Sequence, residues 1–293
     1  MNKTLNWDEY WTGVDVYQQP LLEEGIFSKM LDSASSKVGG IANKSAIEIG
    51  CYPGKFIEYI GRKGYTISGI DTHTDVEKIT HWATSKGHQV GNFKKCSLQE
   101  YANTHSDCFD LVFSLGLIEH FDDFCDVLYS HGKLCNENGI LLIGAPNFAS
   151  PYQRALHSVL DQKNLEGHVL HSMYPDLWAI YLSLIGFDVQ YSGNWGGFGF
   201  WSDSVTDDNR IAMMQNHVSN IANTLNQYSG KFNQSETSYN IVIAKRTSLS
   251  QIELTERHLK ASMLIRKIAH SISDKDMKLS LPMIQLMNDL LGK

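Results

Sequence analysis

Ser45-Ala46-Ile47-Glu48-Ile49-Gly50-Cys51-Tyr52-Pro53-Gly54 is the stretch that decides the fold. Ser45 to Ile49 reads as a short strand, and it runs straight into a glycine turn. Lys55 to Lys63 then carry a helical pattern, closed by Gly64 as a C-terminal cap. A glycine turn at the carboxyl end of a strand lets the backbone approach a ligand, and the N-terminus of the next helix favours an anion. A dinucleotide fingerprint, G-x-G-x-x-G, has a middle glycine that makes room for a pyrophosphate. Tyr52 fills that position here, so the loop suits a ligand without a diphosphate. The alternative is a βα turn with a purely structural role.

Outward from this loop, short apolar runs alternate with helical segments. Thr66 to Ile70 is the second strand and ends in Gly69-Ile70-Asp71, with Asp71 following Gly50 by 21 residues. An acid there can accept hydrogen bonds from both hydroxyls of a ribose. A helix N-cap, supplied by Asp71 or Thr72, is the competing reading. His88 to Phe93 and Asp110 to Ser114 are further strands. The helix after the latter places Phe124, Val127, Leu128, His131 and Leu134 on one face, with Asp122 and Asp123 at its N-terminus. The turn Asn136-Glu137-Asn138-Gly139 leads into a strand at Ile140 to Ile143. A helix near Tyr174 to Leu184 precedes a strand at Phe187 to Tyr191, and Tyr239 to Lys245 is the last strand. This alternation predicts an α/β fold: a Rossmann-like, seven-stranded, mostly parallel sheet with helices on both faces.

Three helical additions surround that core at 41–248. Residues 1–40 carry an aromatic cluster, Trp7, Tyr10, Trp11 and Tyr17. An insertion at about 195–238 opens with Trp195, Phe198, Phe200 and Trp201 interleaved with glycines. Both aromatic segments are read as lids over a pocket, with core packing as the alternative. In the insertion, Ile211, Met214, Val218, Ile221, Leu225 and Tyr228 form a heptad-like seam. The appendage at 249–293 reads as two helices, near 251–272 and 282–291, the second with Pro282 in its first turn. Apolar stripes outside the core sheet must be covered. Pairing of these helices in a homodimer is the expectation, with a cap over the site as the alternative.

Composition narrows the partners. Five cysteines, none in a C-x-x-C pair, argue against a disulfide framework or zinc knuckle and for reduced thiols. A net charge of −7 without a basic stripe argues against nucleic acid. No apolar run approaches the roughly 20 residues needed to span a bilayer, and the first residues lack the apolar core of a secretion signal. No membrane partner and a cytoplasmic location are expected.

Taken together, Glu48 to Gly54 and Asp71 resemble motif I and the second-strand acid of class I S-adenosylmethionine-dependent methyltransferases, of the bacterial small-molecule and sugar type. Asp110-Leu-Val-Phe-Ser-Leu-Gly-Leu-Ile-Glu119-His120-Phe resembles the family's fourth-strand motif, and Gly139 to Asn147 its fifth. Gly167-His168-Val-Leu-His171-Ser resembles a histidine segment of the same relatives. The resemblance covers about 40–195 and 239–246. It implies S-adenosyl-L-methionine as cofactor, held by Glu48, Gly50, Cys51, Tyr52, Gly54, Asp71, Thr72, Ser97, Leu98, Gln99, Ser114, Leu115, Gly116, Glu119 and His120. Many relatives carry an acid after the third strand. Here Cys96-Ser97-Leu98 stands there instead, with Ser97 as the substitute.

The expected reaction is methyl transfer to a hydroxyl, less readily an amine, of a small molecule or sugar. His168 and His171 are the candidate bases, because an imidazole titrates near neutrality. Three apart, they would share one face of a helical turn. No third ligand stands at useful spacing, so no metal is expected. Two other functions compete: an NAD-dependent oxidoreductase, and a methyltransferase-like fold retained as a binding or scaffold subunit.

Overall fold

β1 (Ser45–Ile49) lies near the middle of a seven-stranded sheet and hydrogen-bonds in parallel to β2 (Thr66–Asp71) on one side. The other strands are β3 (Val90–Lys95), β4 (Phe109–Leu115), β5 (Cys135–Pro146), β6 (Phe187–Phe198) and β7 (Thr237–Arg246). The computed structural model describes residues 6–106, 108–202, 206–228 and 237–291, of which 225–228 by backbone alone. The strand order is β3-β2-β1-β4-β5-β7-β6, with β7 antiparallel to both its neighbours. After β3 the chain crosses back over β1 to place β4 on its other side. That reversal opens a crevice at the carboxyl ends of β1 and β4, where open α/β sheets bind ligands.

Helices cover both faces. In chain order they are α1 (Trp7–Tyr10), α2 (Ile26–Val38), α3 (Lys55–Arg62), α4 (Lys78–Ser85), α5 (Leu98–Thr104), α6 (Phe124–Leu134), α7 (Pro151–Leu160), α8 (Gln162–Leu165), α9 (Pro175–Leu184), α10 (Asn209–Tyr228) and α11 (Gln251–Leu291). Successive strand residues point to opposite faces. Thus Ala46, Leu111 and Phe113 pack with α2, α3 and α4, whereas Ile47, Ile49 and Val112 pack with α5, α6 and α9. All five cysteines are free thiols, four of them buried. No described helix is long and apolar enough to cross a membrane.

Three segments depart from the sequence expectation. The turn at 136–139 lies inside β5 as an irregularity, since pairing jumps from Phe109↔Cys135 to Leu111↔Ile140 and Asn138 takes φ 64°. β6 continues past Tyr191 to Phe198, because the ladder to β7 extends as far as Phe198↔Thr237. Trp195 and Phe198 therefore belong to the sheet, and the first half of the expected lid is a strand. Gly196 (φ +86°) lies where that ladder shifts register, and a Cβ there would stand 2.3 Å from Ile26 Cδ1. Residues 251–291 form one helix with Pro282 inside it, where two were expected. An interior proline costs about 3 kcal/mol. Anchoring on both sides of it offsets that cost: beyond it Met287 and Leu291 are buried against Leu156, Val159 and Leu160, and before it the buried Arg154 donates to Ser273 O at 2.9 Å.

The seam on α10 also finds cover within the chain. Ile211, Met214 and Val218 pack against that same cluster around α7 and the end of α11, whereas Ile221 is exposed. The side chains of Leu225 and Tyr228 lie outside the described residues.

Candidate active site

The carboxyl ends of β1, β2 and β4 open into a cavity of about 900 Å³. That is near the upper end of the roughly 300–1,000 Å³ typical of ligand pockets. Its floor is the loop after β1. Gly50 (φ +73°) donates to Ile70 O at 2.8 Å, and Gly54 (φ +102°) precedes α3 in the left-handed conformation. Tyr52 does not fill the cavity: its ring stacks on His73 at 3.7 Å and its hydroxyl donates to Val14 O at 2.9 Å.

Asp71 holds the loop in shape. Its carboxylate accepts from Tyr52 N at 2.9 Å and from His73 N at 2.8 Å. Burial pushes its pKa above the usual carboxylate range, with the two backbone donors pulling the other way. Each oxygen keeps a second lone pair for a ligand hydroxyl. Glu48 is buried at the end of β1, and its Oε2 has no hydrogen-bond partner. Burial drives its pKa well above the ordinary value. A cationic group in the cavity would satisfy that oxygen, so the two acceptor carboxylates suit a ligand carrying an ammonium and a ribose. Ser97 caps α5, its Oγ accepting from Glu100 N at 3.2 Å, and Leu98 and Gln99 follow at the same rim. The first N–H groups of a helix lack intrahelical acceptors.

A second wall begins where β4 ends. Leu115 and Gly116 reach the cavity, and the 3₁₀ turn Ile118–His120 places Glu119 and His120 beside it. Ser114 does not reach it. Strand alternation turns its side chain into the protein, fully buried with an unpartnered Oγ. Val169 N donates to Glu119 O at 2.7 Å, which draws the segment after α8 against this turn and brings in His168. His168 Nδ1 lies 2.7 Å from Asn164 O, and His120 Nδ1 lies 3.1 Å from Gly167 O. With Nδ1–H donating to a carbonyl, Nε2 is the lone-pair atom in each ring. Burial lowers His168, and burial plus the neighbouring His168 lowers His120 to about 4. Burial pushes Glu119 up to about 8.

His171 is elsewhere. Only Leu170–Ser172 form a helical turn, and Val169 is extended, so the two histidines do not share a face. His171 Nε2 sits 3.2 Å from Asp122 Oδ1, and its ring lies tilted against His270 at 3.8 Å between centroids. It does not line the cavity and cannot serve there as a base.

The remaining wall is aromatic, from Trp7, Tyr10 and Trp11 on one side to Phe27, Phe56, Trp201 and Tyr239. Trp7 packs edge-on against His120 at 4.9 Å. Sequence reasoning missed Phe27, Phe56, Lys163, Asn164 and Tyr239. Only Asn164 had a legible signal, its place one helical turn before His168.

A methyltransferase-domain family profile matches residues 26–192, more than half of the chain. The chain belongs to this family, the class I S-adenosylmethionine-dependent methyltransferases. The oxidoreductase reading falls with that assignment. The methyltransferase is 24% identical over 186 residues to the ubiquinone biosynthesis O-methyltransferase of Klebsiella pneumoniae subsp. pneumoniae, covering 54% of this chain and 76% of that one. Its match to the enzyme of the same name from Actinobacillus pleuropneumoniae is 22% over 121 residues, covering 40% and 52%. The chain thus spans about half the length of the first such relatives. Among solved structures, a putative sarcosine dimethylglycine methyltransferase from Galdieria sulphuraria superposes with TM-score 0.51 at 12% identity, covering 82% and 97%. That likeness concerns the fold.

Proposed function

We propose that this methyltransferase modifies a hydroxyl of a small molecule or sugar, with His168 accepting the proton. The observation that carries this reading is the His168 imidazole itself: in the cavity wall, fixed through Nδ1 by Asn164 O, and kept neutral by burial. An aliphatic hydroxyl needs its proton removed as it attacks, whereas an amine needs only to be neutral. The O-methyltransferase names of the curated relatives favour oxygen as well.

S-adenosylmethionine, when bound, supplies a methyl group already activated on a sulfonium. Glu48 and Asp71 would hold its ammonium and ribose, and Leu98 and Gln99, at the rim, would lie beside its base. Trp7, Tyr10 and Trp11 form a lid from the N-terminal segment that keeps the cavity dry, which favours transfer. We further propose a cytoplasmic homodimer. Exposed apolar residues on α10 (Met213, Ile221) and α11 (Ile252, Leu259, Met263) support it. Light scattering at micromolar concentration should give twice the chain mass; a monomer would discard the dimer.

The function is tested by offering radiolabelled S-adenosylmethionine with fractionated small-molecule extracts. Label is expected in an O-methyl product. Cofactor binding without transfer to any acceptor would leave the binding-subunit reading.

A further inference from the structure

Glu119, His120 and His168 come from two segments, yet one carboxylate oxygen and one nitrogen of each ring all lie within 4.8 Å of one another. Glu119 is 1% exposed and its Oε2 has no hydrogen-bond partner. An unpartnered carboxylate oxygen in a wall that also presents two imidazole lone pairs is unsatisfied by anything in the protein. All three residues line the cavity, so a ligand can reach them.

We propose that these three residues bind one divalent transition-metal ion of the Zn²⁺ class. Three arguments converge. First, two imidazoles and one carboxylate suit Zn²⁺, Co²⁺ or Fe²⁺ better than Mg²⁺ or Ca²⁺, which prefer all-oxygen sets. Second, each ring nitrogen Nδ1 is already fixed on a backbone carbonyl, Asn164 O for His168 and Gly167 O for His120. That outer-sphere bond orients a ligating histidine and sets its tautomer. Third, the rings are held laterally, His120 by Trp7 at 4.9 Å and His168 by Phe148 at 4.9 Å. Ligand atoms sharing an ion at about 2.0–2.2 Å stand roughly 3–3.5 Å apart, so small side-chain rotations close the set.

Three protein ligands leave open positions facing the cavity. A hydroxyl occupying one of them would be more acidic and would give up its proton to solvent as it binds, ahead of methyl transfer. This consequence, though not the binding, rests on the oxygen-acceptor reading. With the ion bound, His168 is a ligand and the ion replaces it as the group that acidifies the acceptor. His168 acts as the proton acceptor only in the metal-free protein.

The test uses the full chain, stripped with a chelator and titrated with Co²⁺ and Zn²⁺ without cofactor or acceptor. One equivalent of Co²⁺ should bind with visible d–d absorption and be displaced by Zn²⁺. Glu119→Gln and His168→Ala should each weaken binding by at least the 10–100-fold that loss of an outer-sphere partner costs. The other cluster of candidate ligands among the described residues, Asp122, His171 and His270, serves as the control. His270→Ala should bind Co²⁺ as the parent does. Thermal melts identify a variant that fails to fold, and the nearly isosteric Glu119→Gln then decides. Absence of uptake, unchanged uptake in Glu119→Gln, or loss in His270→Ala instead would overturn the site. Cofactor affinity, measured separately by calorimetry, reports on the methyltransferase reading independently of the metal.

Discussion

The cavity has two walls made on different principles. The β1–β2 wall is local: Gly50 to Gly54 and Asp71 lie close in the chain, and backbone hydrogen bonds such as Tyr52 N to Asp71 set its shape. The wall after β4 is assembled from afar, joining Trp7, Glu119–His120, Asn164–His168 and Trp201. The first presents backbone and two carboxylates, which suits a constant ligand. The second presents rings, imidazoles and the Glu119 carboxylate, whose placement depends on tertiary packing. A mutation in the first wall should therefore act on cofactor affinity, and one in the second on turnover.

The largest effect is expected at His168. His168→Ala should lower the methyl-transfer rate about a hundredfold to ten-thousandfold, with cofactor affinity unchanged by calorimetry. The loss should shrink for a more acidic acceptor, which needs less help with its proton. Near-normal turnover at saturating acceptor would remove His168 from the chemistry and favour an amine acceptor.

Asp71→Ala comes next and belongs to the other wall. Losing a charge-assisted hydrogen bond costs roughly 1.5–3 kcal/mol, or about tenfold to a hundredfold in S-adenosylmethionine affinity. Tyr52 N and His73 N also lose their acceptor, so the melting temperature should fall too. A variant that melts lower but binds as tightly would make Asp71 a loop anchor only.

The same contrast explains what was legible in the sequence. The β1 loop, Asp71 and the strand alternation were readable because local chemistry and period-two patterning set them. The pairing of Phe198 with Thr237 was not, because it depends on a partner strand beyond the insertion. Pro282 looked like a helix start because local rules place proline in a first turn; the anchors Met287 and Leu291 act through tertiary contacts. His168 and His171 looked equivalent by spacing, and only the extended backbone at Val169 separates them. The meeting of Glu119, His120 and His168 needed the bond from Val169 N to Glu119 O, a tertiary fact.

The smallest effect is a pH dependence that isolates the second wall in chelator-treated protein. Glu119 has its pKa raised from 4.5 to about 8 by burial, while His120 is lowered from 6.5 to about 4. Between about pH 4.5 and 8 the folded state holds the Glu119 proton that the unfolded chain releases, so this group makes stability fall as pH rises. Between about 4 and 6.5 the unfolded chain holds a His120 proton that the folded state lacks, so that group makes stability rise with pH. The two slopes oppose each other up to about 6.5, and from there to about 8 only Glu119 remains. Glu119→Gln keeps the shape and removes the titration. Its melting temperature relative to the parent should therefore climb from pH 4.5 to 8 and level off above, while the His120 contribution cancels in the difference. A difference that stays flat across that window would mean that Glu119 binds its proton equally well in the folded and unfolded states, so that burial does not raise it.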